Sequence, residues 1–99
     1  MGGVAIQTAN VVADKSGTIT LGGTQQTLMA ANTDRKGYLV QNVSTGDLWI
    51  NDQGNAAATQ PSLKLPPGAY YETPLTGAPR TAISIFGATT GQAFTAREW

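Results

Sequence analysis

Residues 38–51 decide the fold, and they read YLVQNVSTGDLWIN. Two short runs of alternating apolar and polar residues, 38–43 and 47–51, flank the tripeptide Ser44-Thr45-Gly46. Alternation with a period of two is typical of strands with one buried face, and a short connection containing glycine is typical of a hairpin. We therefore predict that these two strands form a β-hairpin.

Similar short runs occur on both sides of this segment, and none shows the three-to-four spacing of a helix over three uninterrupted turns. They lie at residues 4–8, 11–13, 18–21, 25–30, 62–65, 69–73, 81–86 and 92–97. We expect the last two to form a second hairpin. A chain of about eight short strands with no helix predicts an all-β fold, either a small antiparallel β-sandwich or a jelly roll, because one flat sheet would leave an apolar face in water. The predicted core consists of Ile19, Leu21, Leu28, Leu39, Val43, Leu48, Ile50, Leu63, Leu65, Ile83, Ile85 and Phe94.

Composition narrows the possible partners of the chain. With 99 residues there is room for one core, and the absence of cysteine removes disulfides and thiolate metal sites. Six acidic residues balance six basic ones, so we expect neither nucleic acid nor a membrane surface as a partner. Charged residues make up 12% of the chain, about half of the ~25% in ordinary soluble domains. A weakly charged surface rich in amides and hydroxyls suits a protein that is largely covered by partners, although it also fits a weakly charged soluble domain.

Catalytic and metal-binding chemistry is poorly supported by the sequence. There is no histidine, which removes the usual general base and the commonest metal ligand. Asp47 and Asp52, with Asn51 and Asn55, offer oxygen ligands for calcium, but their spacing matches no calcium loop and such residues are common in turns. We predict no catalytic residues, no metal site and no cofactor.

Exposed aromatic residues are the best candidates for a binding surface. If Leu48 and Ile50 are buried, Trp49 points outward, and one of Tyr70 and Tyr71 must also point outward. Three interpretations are open: a protein interface, a platform for stacking sugars, and cover for a loop. The predicted interface residues are Trp49, Tyr70, Tyr71, Arg97 and Trp99.

Several segments resemble small virion proteins that tailed bacteriophages encode among their structural genes. They are residues 35–44 (RKGYLVQNVS), 48–51 (LWIN), 63–68 (LKLPPG) and 85–98 (IFGATTGQAFTARE), and the similarity spans roughly residues 18–98. The resemblance implies a β-sandwich domain over residues 18–99 that decorates the capsid or belongs to a head fibre or tail accessory. Residues 1–17 depart from the pattern, and we expect them to form an N-terminal arm or an edge strand that pairs with a neighbour's sheet.

The leading functional hypothesis is a non-enzymatic capsid decoration or cement protein in the virion, assembled in the host cytoplasm. Its partners would be the major capsid protein or another virion protein and further copies of itself, as a homo-oligomer. A tail or fibre component is the first alternative. A carbohydrate-binding module is the second, in which an aromatic platform and the amides of Asn51, Gln53 and Asn55 would hold a glycan.

Overall fold

The computed structural model describes residues 11–99, which form an all-β fold without a helix. The predicted strand at residues 4–8 lies outside the described residues. The strands are β1 (Ala13–Asp14), β2 (Gly17–Thr18), β3 (Gln26–Met29), β4 (Tyr38–Asn42), β5 (Leu48–Asn51), β6 (Leu63–Leu65), β7 (Tyr70–Glu72), β8 (Ile83–Gly87) and β9 (Ala93–Glu98). Within this part of the chain, no helix is long and apolar enough to cross a membrane.

The strands form two antiparallel sheets with the order of a jelly roll, which confirms the predicted fold class. Sheet A has the order β1-β9-β4-β7, with β2 also paired to β9, and sheet B has the order β3-β8-β5-β6. The pairs β2–β9, β3–β8, β4–β7 and β5–β6 nest inside one another along the chain. The chain is therefore one long antiparallel hairpin, rolled so that successive pairs fall in alternate sheets.

β1 and β2 together form one edge of sheet A. Both pair with β9, and between them Lys15 N donates to the Ala96 oxygen at 2.7 Å. The hydroxyl of Ser16 accepts a hydrogen bond from Ala96 N at 3.0 Å. Of the predicted arm or edge strand at 1–17, residues 11–17 contribute β1 and the first residue of β2 to this edge, and residues 1–10 lie outside the described part.

The core lies between the sheets and contains most of the residues predicted for it. Ile19, Leu28, Leu48, Ile50, Leu65, Ile83, Ile85 and Phe94 are buried there. Four predictions were wrong: Leu39 is only half-buried, and Leu21, Val43 and Leu63 are exposed by 61%, 52% and 45%. In β4 the inward residues are Tyr38, Val40 and Asn42. The local sequence has apolar residues on both sides of this strand, so the side that faces the core is determined by how β4 packs with β7 and β9.

The predicted strand at residues 18–21 ends early, which explains the exposure of Leu21. Of residues 18–21, only Thr18 belongs to β2. Ile19 is held inward because its N–H donates to the Gln92 oxygen and its oxygen accepts from Gly91 N. A Cβ on Gly22 would lie 2.5–2.8 Å from backbone atoms of residues 88–90, so the chain passes too close to that loop for a regular strand, and Leu21 is turned to solvent.

Both predicted hairpins were wrong, since each pair of strands is divided between the sheets. β4 is in sheet A and β5 in sheet B, and likewise β9 is in sheet A and β8 in sheet B. Alternation identifies strands but does not say whether neighbours in sequence pair side by side or pack face to face.

Buried Asn42 directs the first of these crossings between the sheets. Its Oδ1 accepts from Ser44 N and Oγ, and its Nδ2 donates to the oxygens of Gly46 and Leu65, each at 2.7–2.8 Å. The side chain thereby turns residues 44–46 away from sheet A and joins this end of β4 to β6 in sheet B.

We predict that Asn42→Ala lowers the free energy of unfolding by about 2–3 kcal/mol, because the buried Leu65 carbonyl and the Ser44 N–H lose the hydrogen bonds that Asn42 makes with them. Gln41→Ala is the matched control, since Gln41 is half-exposed on the same strand and makes one exposed hydrogen bond. Its expected loss is below about 0.5 kcal/mol. Urea unfolding followed by tryptophan fluorescence measures both values, and equal losses would contradict the role of Asn42.

Candidate functional site

The five predicted interface residues do not form one site in the structure. Trp49 is on the outer side of sheet B, and Tyr70 and Arg97 are on the outer side of sheet A. Tyr71 points inward, where its ring lies 5.7 Å from that of Tyr38. Trp99 lies at one end of the sandwich, beside Gly37.

The outer surface of sheet A, here called the A face, carries both charged and uncharged residues. Opposite one another across its strands lie Glu72, Leu39, Arg97 and Asp14 in one row, and Tyr70, Gln41 and Thr95 in the next. Tyr70 is 63% exposed, and Val43 continues the outward side of β4. The A face therefore has one row in which acidic and basic side chains flank Leu39 and a second row of uncharged residues.

Hydrogen bonding fixes the charge of Asp14 at the edge of the A face. Ser16 N donates to Asp14 Oδ1 at 2.9 Å. This bond, the Ser16 hydroxyl and the nearby charge of Arg97 hold the pKa of Asp14 below its usual value. Asp14 thus stays ionised well below neutral pH.

The outer surface of sheet B, here called the B face, is partly covered by the chain itself. Trp49 is opposite Phe86 and Lys64 in the strand register, and the Lys64 Nζ lies 5.8 Å from the Trp49 ring centre. Further along β8, the loop between β5 and β6 lies over the sheet. Ala56 of this loop is buried, and its N–H donates to Ser84 Oγ at 2.9 Å. The chain itself therefore covers the part of the B face around Ser84.

A cleft of about 520 Å³ lies between this loop and the edge of the B face. Its lining contains polar residues, among them Gln25, Thr27, Asp52, Gln53 and Asn55, together with the apolar Ala82 and Ile83.

Only part of the predicted glycan site lies at this cleft. Gln53 and Asn55 line it, but Trp49, Tyr70 and Tyr71 do not. Asn51 is engaged in local structure instead, because its Oδ1 accepts from Gln53 N at 2.7 Å. The platform and the amides are therefore not brought together.

Arg35 is buried and makes four side-chain hydrogen bonds, and sequence reasoning did not single it out. It is 1% exposed, and its Nε donates to Glu98 Oε1 at 2.8 Å. Nη1 donates to the main-chain oxygens of Pro79 and Thr81, and Nη2 to that of Ala30, at 2.7–2.8 Å. Nothing in the local sequence marks Arg35, because its partners come from three separate segments, at Ala30, residues 79–81 and Glu98.

Glu98 remains ionised despite its burial. Burial raises the pKa of its carboxyl group, but the hydrogen bond and charge of Arg35, with the charge of Lys15 at 3.6 Å, outweigh that effect and lower the pKa. A second buried contact lies nearby, where the Tyr38 hydroxyl donates to Asp52 Oδ2 at 2.9 Å. Burial and this bond raise the pKa of Tyr38, so it stays protonated.

A groove of about 420 Å³, here called the end groove, opens beside Arg35. One side carries Lys36 and Trp99, and the other carries Leu75 and Arg80. Trp99 is fixed there because its oxygen accepts from the N–H groups of Lys36 and Gly37, and its N–H donates to the Gly37 oxygen. A Cβ at position 37 would lie 2.6–2.7 Å from the indole, so only glycine lets the ring pack this closely.

The acidic residues considered for calcium lie apart and are otherwise engaged. Asp47 pairs with Lys64 at 3.5 Å, and Asp52 is bound by Tyr38. Across residues 11–99, no three side chains of His, Cys, Asp or Glu come together as a metal site requires.

No family model, curated protein or solved structure matches this chain.

We predict that Glu98→Gln destabilises the protein by about 3 kcal/mol at neutral pH, because the buried guanidinium loses its counter-charge. The pKa of Glu98 is lowered on folding, so its stabilisation is present above the ordinary value of 4.5 and is lost as the pH falls through the lower folded value. The stability gap between wild type and variant should therefore narrow at about pH 3.

Urea unfolding at both pH values measures this gap. Glu72→Gln is the control, since Glu72 is exposed on the A face, and it should change stability little at either pH. A gap of the same size at neutral and acid pH would show that Glu98 acts by packing and not by charge.

Proposed function

We propose that this chain is a non-enzymatic capsid decoration protein of a tailed-bacteriophage virion, assembled in the host cytoplasm and seated on the coat lattice by protein–protein contacts. The observation that carries the proposal is the A face, where exposed Tyr70 and Val43 lie beside Gln41 and Thr95, next to the row of Glu72, Leu39, Arg97 and Asp14. The sequence resemblance to phage virion proteins supplies the virion context. Jelly rolls also recur in viral capsid domains, although such a likeness of fold alone does not define function.

The physical role would be to add buried surface across junctions between coat subunits. A standard interface buries about 800 Å² per partner. Many copies with modest individual affinity stabilise a shell because dissociation of the shell must break all their contacts. A rigid sandwich suits this task, since little conformational entropy is lost when it docks.

A tail or fibre component uses the same faces and differs only in location on the particle. A carbohydrate-binding module is the weaker candidate. Trp49 and Tyr70 lie on opposite outer surfaces, so they cannot stack on one glycan, and the amide-lined cleft has no aromatic residue among those that line it.

Rebinding to particles that lack this protein tests the proposal. Purified wild-type chain should co-sediment with such particles at saturable stoichiometry. Tyr70→Ser should weaken binding about 30-fold, the effect of removing a central aromatic anchor worth about 2 kcal/mol. Trp49→Ala tests whether the B face contributes as well.

Leu21→Ser is the matched control, because Leu21 is 61% exposed but lies in a loop off both faces. Its binding should equal that of wild type. Wild-type affinity in both Tyr70→Ser and Trp49→Ala, with the fold intact by circular dichroism, would contradict the proposal.

A further inference from the structure

The end groove concentrates positive charge in a protein that has little charge elsewhere. Three of the six cationic residues of the chain, Arg35, Lys36 and Arg80, line it. Among the residues of 11–99 that form its walls, none is Asp or Glu. This distribution stands out in a chain with equal numbers of acidic and basic residues.

The three cations have different roles. The charge of Arg35 is neutralised by Glu98, and four of its N–H groups are engaged within the fold. Lys36 and Arg80 are exposed, and within the described part of the chain neither forms an ion pair. Arg35 is therefore a structural cation, whereas Lys36 and Arg80 are available at the walls of the groove to bind a ligand.

Apolar groups lie next to these two cations. Trp99 is held in place by main-chain bonds to residues 36 and 37. Leu75 is fully exposed on the opposite side, at the tip of a turn closed by Gly77 N donating to the Pro74 oxygen. A fully exposed leucine beside a fixed indole is the arrangement of a site that receives another apolar side chain.

We propose that the end groove binds an acidic segment of a partner protein, in which a carboxylate side chain lies between Lys36 and Arg80 and a neighbouring apolar side chain packs on Trp99 and Leu75. Charge complementarity selects the carboxylate, and the indole and leucine select the apolar neighbour. A protein segment is favoured over nucleic acid, because two available cations in one short groove do not form the basic stripe that tracks a phosphate backbone.

This inference deepens the proposed function, since it specifies the chemistry of one contact with a virion neighbour. It is tested on the purified chain with peptides, so its failure would leave the rebinding result unaffected, and failure of rebinding would leave the peptide result unaffected.

The probes are two blocked peptides that differ only in charge, acetyl-Ala-Asp-Leu-Glu-Ala-amide and acetyl-Ala-Asn-Leu-Gln-Ala-amide. Nuclear magnetic resonance of the ¹⁵N-labelled chain follows the indole N–H of Trp99 and, as an internal reference, that of Trp49. The acidic peptide should shift the Trp99 resonance and not the Trp49 resonance, with a dissociation constant of about 1 mM or below. The neutral peptide should bind at least about tenfold more weakly.

Variants separate charge from folding. The double variant Lys36→Gln/Arg80→Gln should weaken the acidic peptide about tenfold, and raising the salt concentration should act in the same direction. Lys64→Gln is the matched control, because Lys64 is an exposed cation outside the groove, and it should leave the affinity unchanged.

Three outcomes would overturn the inference. They are equal affinity for the two peptides, unchanged affinity in the double variant, and no shift of Trp99 at about 5 mM acidic peptide. Inorganic phosphate is titrated as well, and phosphate binding as tight as that of the acidic peptide would assign the groove to phosphate and exclude the protein segment.

Discussion

One end of the sandwich depends on the ion pair and the hydrogen bonds of the buried Arg35 guanidinium. A charge without water costs several kcal/mol unless it is paired and its N–H groups are bonded, so the acceptors around it must all be in place. Those acceptors come from the ends of β3 and β8 in sheet B, at Ala30 and Thr81, and from Glu98 of β9 in sheet A. Arg35 thereby joins the two sheets at the end of the sandwich where β4 begins.

Asn42 has the same function at the opposite end of β4, where it connects sheet A to β6 of sheet B. The apolar core supplies most of the stabilisation, and these polar contacts determine how the sheets are joined.

Much of the fold follows from the sequence because alternation, turn residues and the absence of helical spacing act locally. They predict the strands, the two-sheet class and most of the core. Pairing does not follow, because each predicted hairpin assumes that strands adjacent in the chain are adjacent in a sheet, whereas the rolled topology places β4 and β5 in different sheets. The sequence also does not determine which side of a strand faces the core when residues on both sides are apolar. Leu39 and Val40 are both apolar, and the packing of Tyr38 against Tyr71 and the core selects Val40 as the buried residue.

The candidate site is less predictable from the sequence than the fold. Alternation correctly places Trp49 on the opposite side from Leu48 and Ile50, but it does not show that Trp49 and Tyr70 belong to different sheets and face away from each other. The end groove has no local signature at all, because its walls come from residues 35–36, the turn at 74–77, Arg80 and Trp99. The sequence does show that the chain has few charged residues. In three dimensions, three of the charged residues lie in one row of the A face, and three of the six cations line the end groove.

The most direct test of the proposed role is a cryo-electron microscopy reconstruction of the phage particle produced from the genome that encodes this chain. If the chain is a decoration protein, we expect density for the jelly roll in many symmetric copies on the capsid shell, with the A face against coat subunits and Tyr70 buried in the contact. Density confined to the tail would contradict the decoration role, and a particle without this protein would contradict a virion role altogether.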